Sequence, residues 1–497
     1  MAGKPPQRAV LVDEKGNIMS LDDDPSAIDG LRSAISRRRM LKTSFGALGF
    51  SVPEFLQLQR RSEGAHAGGF GRAKSCIVLY CWGGMSHHES WDPKPKAPAN
   101  VRGEFEPIDT AVPGIRVGEH IPFLARQAER LAIVRSIHHN CTAHGKGMYW
   151  NMTGHSPPQP EAAVNLPPSR ADWPSLAAMV SSFHSDGSPG IPSAVRLPYP
   201  LVDNGTLQAG EYGGWLGIKH DPIVVRTPQG KPFGGVSRDL GSPVLDLAEG
   251  IDRPRLQSRR ALLTTLERLS DSDLKRRLKS FEHRPVEPFE HFRQLALDML
   301  LSHKVREAFD LDSEPERIRQ AYGEHICGQS ILLARRLTEV GVPIVTVCCA
   351  AGDLNGARGD HWDTHSNNFK RLKNTMLPAL DKPAAALIED LAERGRLEET
   401  LVVFMTDFGR TPKINGSAGR DHYPYAYSVV LAGGGIRGGQ VYGSSDLLGA
   451  YPHNLPCRPN DLHATIFRAL GISTDSFLVD DLDRPLPLTD GQLLPLF

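Results

Sequence analysis

The chain has 497 residues, and its 57 Lys and Arg balance 57 Asp and Glu, so it carries no net formal charge. That balance excludes the ordinary basic nucleic-acid binder, and the length is ample for a large core or two domains, since single cores stop growing near about 300 residues. Forty-eight Gly and 39 Pro point to many turns and ordered loops rather than a helical bundle, and the chain holds no Walker A loop, CxxC pair or GxSxG elbow.

The first residues read as an export signal rather than as fold. Ser36-Arg37-Arg38-Arg39-Met40-Leu41-Lys42 matches the twin-arginine pattern, an apolar segment follows from Phe45 to Leu58, and Ala65-His66-Ala67 offers a small-residue cleavage site. The expected division is a signal over residues 1–67 and one domain over 68–497. Pro53 and Glu54 interrupt the apolar segment, and no later stretch reaches the roughly 20 apolar residues of a membrane span. A protein without a transmembrane span, exported folded to the periplasm or beyond, is the expectation. The 7 Cys are odd in number, so at least one is unpaired. Most read as buried thiols, although an oxidising location permits a disulfide.

In chain order, Ile77–Cys81 is a continuous apolar run and reads as a buried parallel strand. Gly83-Gly84 and Ser86-His87-His88-Glu89 follow it, and His87 and Glu89 are close enough to share a cation. Leu131–Val134 predicts a second strand, leading into His138-His139-Asn140-Cys141-Thr142-Ala143-His144-Gly145-Lys146. Met148–Thr153 predicts a short helix ending at Gly154. Residues 156–260 are Pro- and Gly-rich and read as an irregular insertion shaping a substrate mouth. Helices are predicted over Arg259–His283, Phe289–Phe309 and Tyr322–Glu339, and a strand over Ile344–Cys349. Leu377, Leu380, Ala384, Leu387, Ile388 and Leu391 recur at helical spacing, with a kink or late start expected at Pro383. Leu401–Thr406 and Ser428–Ala432 are further strands, and a last helix begins near Asn460. Strands alternating with helices give an α/β class with a mostly parallel sheet.

The chemistry concentrates between Trp362 and His422. Trp362-Asp363-Thr364-His365 opens this stretch, Asp407-Phe408-Gly409-Arg410 ends the apolar strand, and Arg420-Asp421-His422 follows. Imidazole and carboxylate at strand ends are the ligand set of zinc and similar cations. Asp363, His365, Asp407 and His422 are the expected metal ligands. A carboxylate buried at Asp407 needs a cation, either Arg410 or a bound metal.

Gly83-Gly84-Met85-Ser86-His87, Trp91-Asp92-Pro93-Lys94-Pro95, Thr153-Gly154-His155, Trp362-Asp363-Thr364-His365, Asp407-Phe408-Gly409-Arg410-Thr411-Pro412 and Gly419-Arg420-Asp421-His422 resemble a bacterial family of twin-arginine-exported proteins classed as domain of unknown function 1501. That family resembles in turn the alkaline phosphatase and sulfatase superfamily. The resemblance implies an alkaline-phosphatase-like three-layer sandwich, a central mostly parallel sheet flanked by helices, and a divalent metal (zinc, calcium or manganese) at the strand ends. It implies hydrolysis of a phosphate or sulfate ester, on a small molecule or a glycan, with a non-catalytic metal- or glycan-binding relative at the cell surface as the alternative. The chain departs from the superfamily pattern in three places. Cys81-Trp82 stand where an Asp is usual, Phe408 stands where a His is usual, and the nucleophile position falls near His144, with Thr142 the nearest hydroxyl. Lys146 or Arg410 would balance charge on the transferring group.

Overall fold

The computed structural model describes residues 11–12, 18–19, 70–162, 166–184, 190–203, 205–225, 252–270, 286–350, 361–480 and 482–497. The chain divides into two units, Met1–Ser62 and Glu63–Phe497. Among its described residues the first holds one antiparallel pair, Leu11–Val12 with Ile18–Met19. The twin-arginine motif, the apolar segment after it and Ala65-His66-Ala67 lie outside the described residues.

The second unit is an α/β fold built on an eight-stranded sheet. Its strands are β1 (Ser75–Cys81), β2 (Leu131–Ile137), β3 (Val195–Leu197), β4 (Ile223–Val224), β5 (Ile344–Cys348), β6 (Thr400–Thr406), β9 (Tyr427–Ala432) and β10 (Gln440–Tyr442), while β7 (Gly409–Arg410) and β8 (His422–Tyr423) form a small separate ladder. The order across the sheet is β4-β3-β5-β1-β6-β9-β2-β10. Only β9 runs antiparallel to its neighbours β6 and β2, so the sheet is mostly parallel. Every residue of β1, β5 and β6 is buried, which is why these strands are continuous apolar runs rather than alternating ones.

Helix α1 (His144–Thr153) packs against β6, α2 (Leu176–Phe183) against β5, and α3 (Ile326–Glu339) against β5 and β1. Helix α4 (Leu377–Glu393) packs on α3, and α5 (Pro459–Ala469) on α1. The apolar stripe predicted for α4 is buried from Leu377 to Leu391. Pro383 lies inside that helix without ending it. The helix follows a π-helical turn over Leu372–Met376, and only the bond that the missing Pro383 N–H would have made is lost.

One predicted helix is broken and another starts late. The Phe289–Phe309 segment divides into Val286–Leu301 and His303–Phe309 at Ser302, whose hydroxyl accepts from the Val305 N–H at 3.3 Å. The helix predicted from Tyr322 begins at Ile326, because Tyr322 ends the separate helix Glu316–Tyr322 and Gly323 follows at φ +85. Residues 156–260 are less irregular than expected. Their described residues contribute α2, strand β3 and the edge strand β4, the strands three and two residues long and so too short to show a period. All seven cysteines are buried and free, and no described helix is long and apolar enough to cross a membrane.

Packing of α5 on α1 makes the fold acid-sensitive. His463 is fully buried, its Nε2–H donates to the Asn151 carbonyl at 2.7 Å, and its Nδ1 has no partner. Burial pushes its pKa down to about 4. The unfolded chain, near 6.5 for His, therefore binds the proton first. Stability is full above pH 6.5 and falls as the pH drops through the window to about 4, by roughly 3 kcal/mol from this residue. Urea unfolding across that window should show a shallower pH slope in His463→Phe, and an unchanged slope rules this source out.

Candidate functional site

The ends of β1 and β6 assemble the site. Thr406 lies beside Cys81 in parallel register, so the residues after both strands share one end of the sheet, where open α/β sheets bind ligands. Asp407 follows at once and is fully buried. Both its carboxylate oxygens accept from the Gly83 N–H, at 3.1 and 3.2 Å. Gly83 has φ +106, and a Cβ there would lie 2.5 Å from the Asp363 nitrogen, so only glycine lets the two loops touch. Trp362 anchors the second loop. It is fully buried, its backbone N–H reaches the Trp82 carbonyl at 3.1 Å, and its indole N–H reaches the Cys349 carbonyl at 2.5 Å. The β7–β8 ladder pairs Arg410 with His422 and turns the chain back to the same point. On the other side α1 starts at His144 and lies against Asp407, where a Cβ on Gly147 would come within 2.8 Å of the Asp407 carbonyl.

Three imidazoles converge on one carboxylate oxygen. Asp363 Oδ1 lies 3.1 Å from His365 Nε2, 3.2 Å from His422 Nε2 and 3.4 Å from His144 Nε2, and His365 Nε2 is 2.9 Å from His422 Nε2. Each ring is held from behind through Nδ1. His144 Nδ1–H donates to Asp407 Oδ2 at 2.5 Å, His365 Nδ1–H to Asp421 Oδ1 at 2.7 Å and His422 Nδ1–H to the Thr142 carbonyl at 2.6 Å. With the proton on Nδ1, a neutral ring presents a lone pair at Nε2. Lone pairs facing a carboxylate repel it, so the site requires a cation or bound protons.

The electrostatics follow the same logic. Burial opposes ionisation of Asp363, yet hydrogen bonds from the three imidazoles and the charge of Arg410 hold its carboxyl far below the usual range. Burial would lower His144, but its bonds to Asp363 and Asp407 outweigh that and raise it to about 9. The bond to Asp363 raises His365, helped by Asp421, whereas burial lowers His422. Edges of 2.9, 3.1 and 3.2 Å between His365, His422 and Asp363 are those of three adjacent positions around an ion about 2.1 Å from each. His144, Asp363 and His422 likewise offer ligand atoms within 4.8 Å of one another. The nitrogen-rich donor set fits zinc or manganese better than calcium, which takes six to eight oxygens.

Of the residues singled out in the sequence, His144, Asp363, His365, Asp407, Arg410 and His422 come together. Asp407 meets the centre through His144, and its carboxylate pairs with that ring and the Gly83 N–H rather than with Arg410. Arg410 is fully buried and pairs with Asp363 at 2.5 Å. Its remaining donors go to the carbonyls of Gly83, Gly84 and Arg420, so it braces the loops and does not face a transferring group. Glu89 is not a ligand here, because it forms a buried ion pair with Arg420, with contacts of 2.7, 3.0 and 3.1 Å. His87 is turned away, with Nε2 on the Gly449 carbonyl at 2.9 Å. Lys146 is buried and donates to the Gln159 carbonyl, and Thr142 contributes its carbonyl to His422. Sequence reasoning gave no role to Asp421, although it adjoins His422, nor to Phe408. The Phe408 ring packs on His144 at 5.0 Å and on His422 at 4.8 Å. Its apolar type hid a positioning role.

The family profile described as "Protein of unknown function (DUF1501)" matches residues 73–495. Comparison with curated protein sequences gives no match. Among solved structures the chain is similar to that of Ps i-CgsB, with 10% identity, TM-score 0.38, and coverage of 84% of this chain and 74% of that one; Ps i-CgsB is also solved in complex with k-i-k-neocarrahexaose. It is similar to the phosphonate monoester hydrolase SpPMH from Silicibacter pomeroyi, with 12% identity, TM-score 0.34 and coverage of 85% and 76%. It is similar also to the PsFucS1 sulfatase from Pseudoalteromonas sp., with 13% identity, TM-score 0.31 and coverage of 84% and 70%.

Proposed function

The chain belongs to the DUF1501 family, and from its site we propose that it is an exported metal-dependent hydrolase of phosphate or sulfate esters. One observation carries this reading. Three donor atoms lie 2.9–3.2 Å apart, and both imidazoles among them are already held through Nδ1, which is how ligands are oriented in metal centres. Asp363, His365 and His422 would hold the ion, whose chemistry is to draw charge from the ester oxygens. The protein's own part is geometric. Trp362 fixes Asp363, Asp421 and the Thr142 carbonyl fix the two imidazoles, and Arg410 neutralises the carboxylate at the same oxygen, Oδ1. The non-catalytic alternative draws on Arg410, which is fully buried and turned onto Asp363 and three carbonyls.

The test is metal analysis of the folded chain followed by a panel of phosphate and sulfate monoesters, including glycan esters. About one equivalent of zinc or manganese and turnover of at least one ester are expected, and His422→Ala should lower metal affinity at least ~100-fold while the fold persists. Metal bound without turnover of any ester supports the non-catalytic reading, and no metal removes both. Export is part of the proposal. Changing Arg37, Arg38 and Arg39 together to Lys should trap an uncleaved precursor in the cytoplasm, and normal processing of that variant would refute it.

A further inference from the structure

A group of tyrosines adjoins the site. The Tyr451 side chain is 55% exposed, and Tyr425, two residues beyond β8, is 38% exposed. Tyr423, half-buried on β8, meets both edge to face, Tyr425 at 5.2 Å and Tyr451 at 6.2 Å. The two outer rings lie 6.0 Å apart with their planes 40° from parallel, so they form a shallow apolar shelf. Tyr451 stands at the tip of a hairpin made by β11 (Ser444–Ser445) and β12 (Pro452–Asn454). That tip is held on every side. The Asp446 carboxylate turns inward and accepts from the N–H groups of Leu448, Ala450 and Tyr451 at 3.0, 2.8 and 3.2 Å. Ser445 donates to Asp92. His87 Nε2–H donates to the Gly449 carbonyl and His88 Nε2–H to the Leu448 carbonyl, both at 2.9 Å. Gly449 has φ +70, and a Cβ there would lie 2.6 Å from His88 Nε2, so only glycine lets the tip rest on the two rings. The segment that follows β1 thus carries both Gly83, against the site, and the two imidazoles that seat Tyr451.

We propose that Tyr425 and Tyr451 form a stacking platform for a pyranose ring of a glycan chain, and that this chain carries the ester that the site receives. The inference rests on the hydrolase reading above for the ester, while the platform binds the sugar by itself. The chemistry of the shelf points to a sugar. A pyranose presents a flat face of C–H groups that stacks on an aromatic face, and its hydroxyls reach the phenol groups at the ring edges. The charge of Asp446 is turned into its own loop, so the shelf offers neutral faces with polar edges and suits the sugar rather than its anionic ester. Rings already fixed by Tyr423 and by the seated tip lose little freedom on binding. Their position fits as well. His422 and Tyr423 are consecutive on β8, and strand alternation sends their side chains to opposite faces. The platform therefore flanks the ion-binding face and meets a sugar beyond the one that bears the reacting ester.

The test titrates the full chain by saturation-transfer NMR with tetrasaccharides of β-linked glucose and of β-linked galactose, each unmodified and sulfated. At least one should bind, with transfer strongest to the ring C–H protons. Tyr425→Ala and Tyr451→Ala should each weaken that binding at least ~10-fold, with the urea midpoint unchanged because both rings are exposed. Tyr451→Trp should keep it, because the aromatic face is retained. Wild-type affinity in Tyr451→Ala overturns the platform. No tetrasaccharide bound, while small phosphate or sulfate monoesters are turned over, overturns it and leaves the hydrolase reading intact. Tetrasaccharide bound through these rings by a chain that turns over no ester keeps the platform and removes the hydrolase reading. Leu447 is 82% exposed at the same tip. Self-association of the chain that Leu447→Asp abolishes, with no sugar bound, would make the tip an interface between copies and overturn the inference equally.

Discussion

Replacing Glu89 with Ala is expected to cost the fold on the order of 3–5 kcal/mol, the usual cost of stripping one partner from a buried ion pair. Both groups are buried, with side chains 1% and 0% exposed. Arg420 places six contacts from one guanidinium, three on Glu89 and three on the carbonyls of Val101, Thr411 and Pro412, so it cannot withdraw to water without undoing the loop that carries His422. Without Glu89 the guanidinium charge is left uncompensated in the interior. Urea denaturation of Glu89→Ala should show a lower midpoint at unchanged slope, and metal affinity should fall with it, because Asp421 and His422 follow Arg420 directly. The pair Glu89→Leu with Arg420→Leu should recover part of the stability, since replacing both charges removes the desolvation penalty. A single variant within 1 kcal/mol of wild type, an effect typical of exposed pairs, would show that this ion pair does not hold the site.

Asp363→Asn is expected to remove metal binding outright. The change is nearly isosteric, so the loops should stay in place, but the oxygen on which His144, His365, His422 and Arg410 converge loses its charge. The three Nε2 atoms and the guanidinium then face one another with no anion between them. Metal analysis after dialysis should give less than about one-hundredth of the wild-type affinity. Stability should also fall, toward the low end of the buried-pair range because Asp363 is 22% exposed and partly screened. Asp407→Asn makes the contrast. Asp407 touches Gly83 and His144 only through hydrogen bonds, so that variant should keep its metal. Equal metal content in the Asp363→Asn and wild-type chains would sink the metal centre as described.

The fold was legible where burial dictates residue type. Strands β1, β5 and β6 are covered on both faces, so their apolar runs appear in the one-dimensional pattern, and the stripe of α4 survives even Pro383. The helix boundary at Ser302 was missed because the apolar period continues across it, and α3 was started four residues early at Tyr322, which ends the preceding helix. Strands β3 and β4 were missed because two or three residues cannot show a period, and they join the sheet only through pairing of β3 with distant β5 and of β4 with β3.

The same division runs through the site. Residue types alone marked Asp363, His365, Asp407 and His422 as one chemistry, because carboxylates and imidazoles gathered after a buried strand have little structural use there. His144 was legible only as a position along the chain. The sequence could not say which carboxylate pairs with which cation. Glu89 looks like a ligand until Arg420, 331 positions away, closes on it, and Asp407 looks like the central ligand until His144 comes between it and the rest. Composition and pattern determine which elements form, since burial and period act within a few residues. Partners of a buried charge are decided by tertiary structure, because the lowest-energy pairing depends on distances that exist only after β1 and β6 lie side by side.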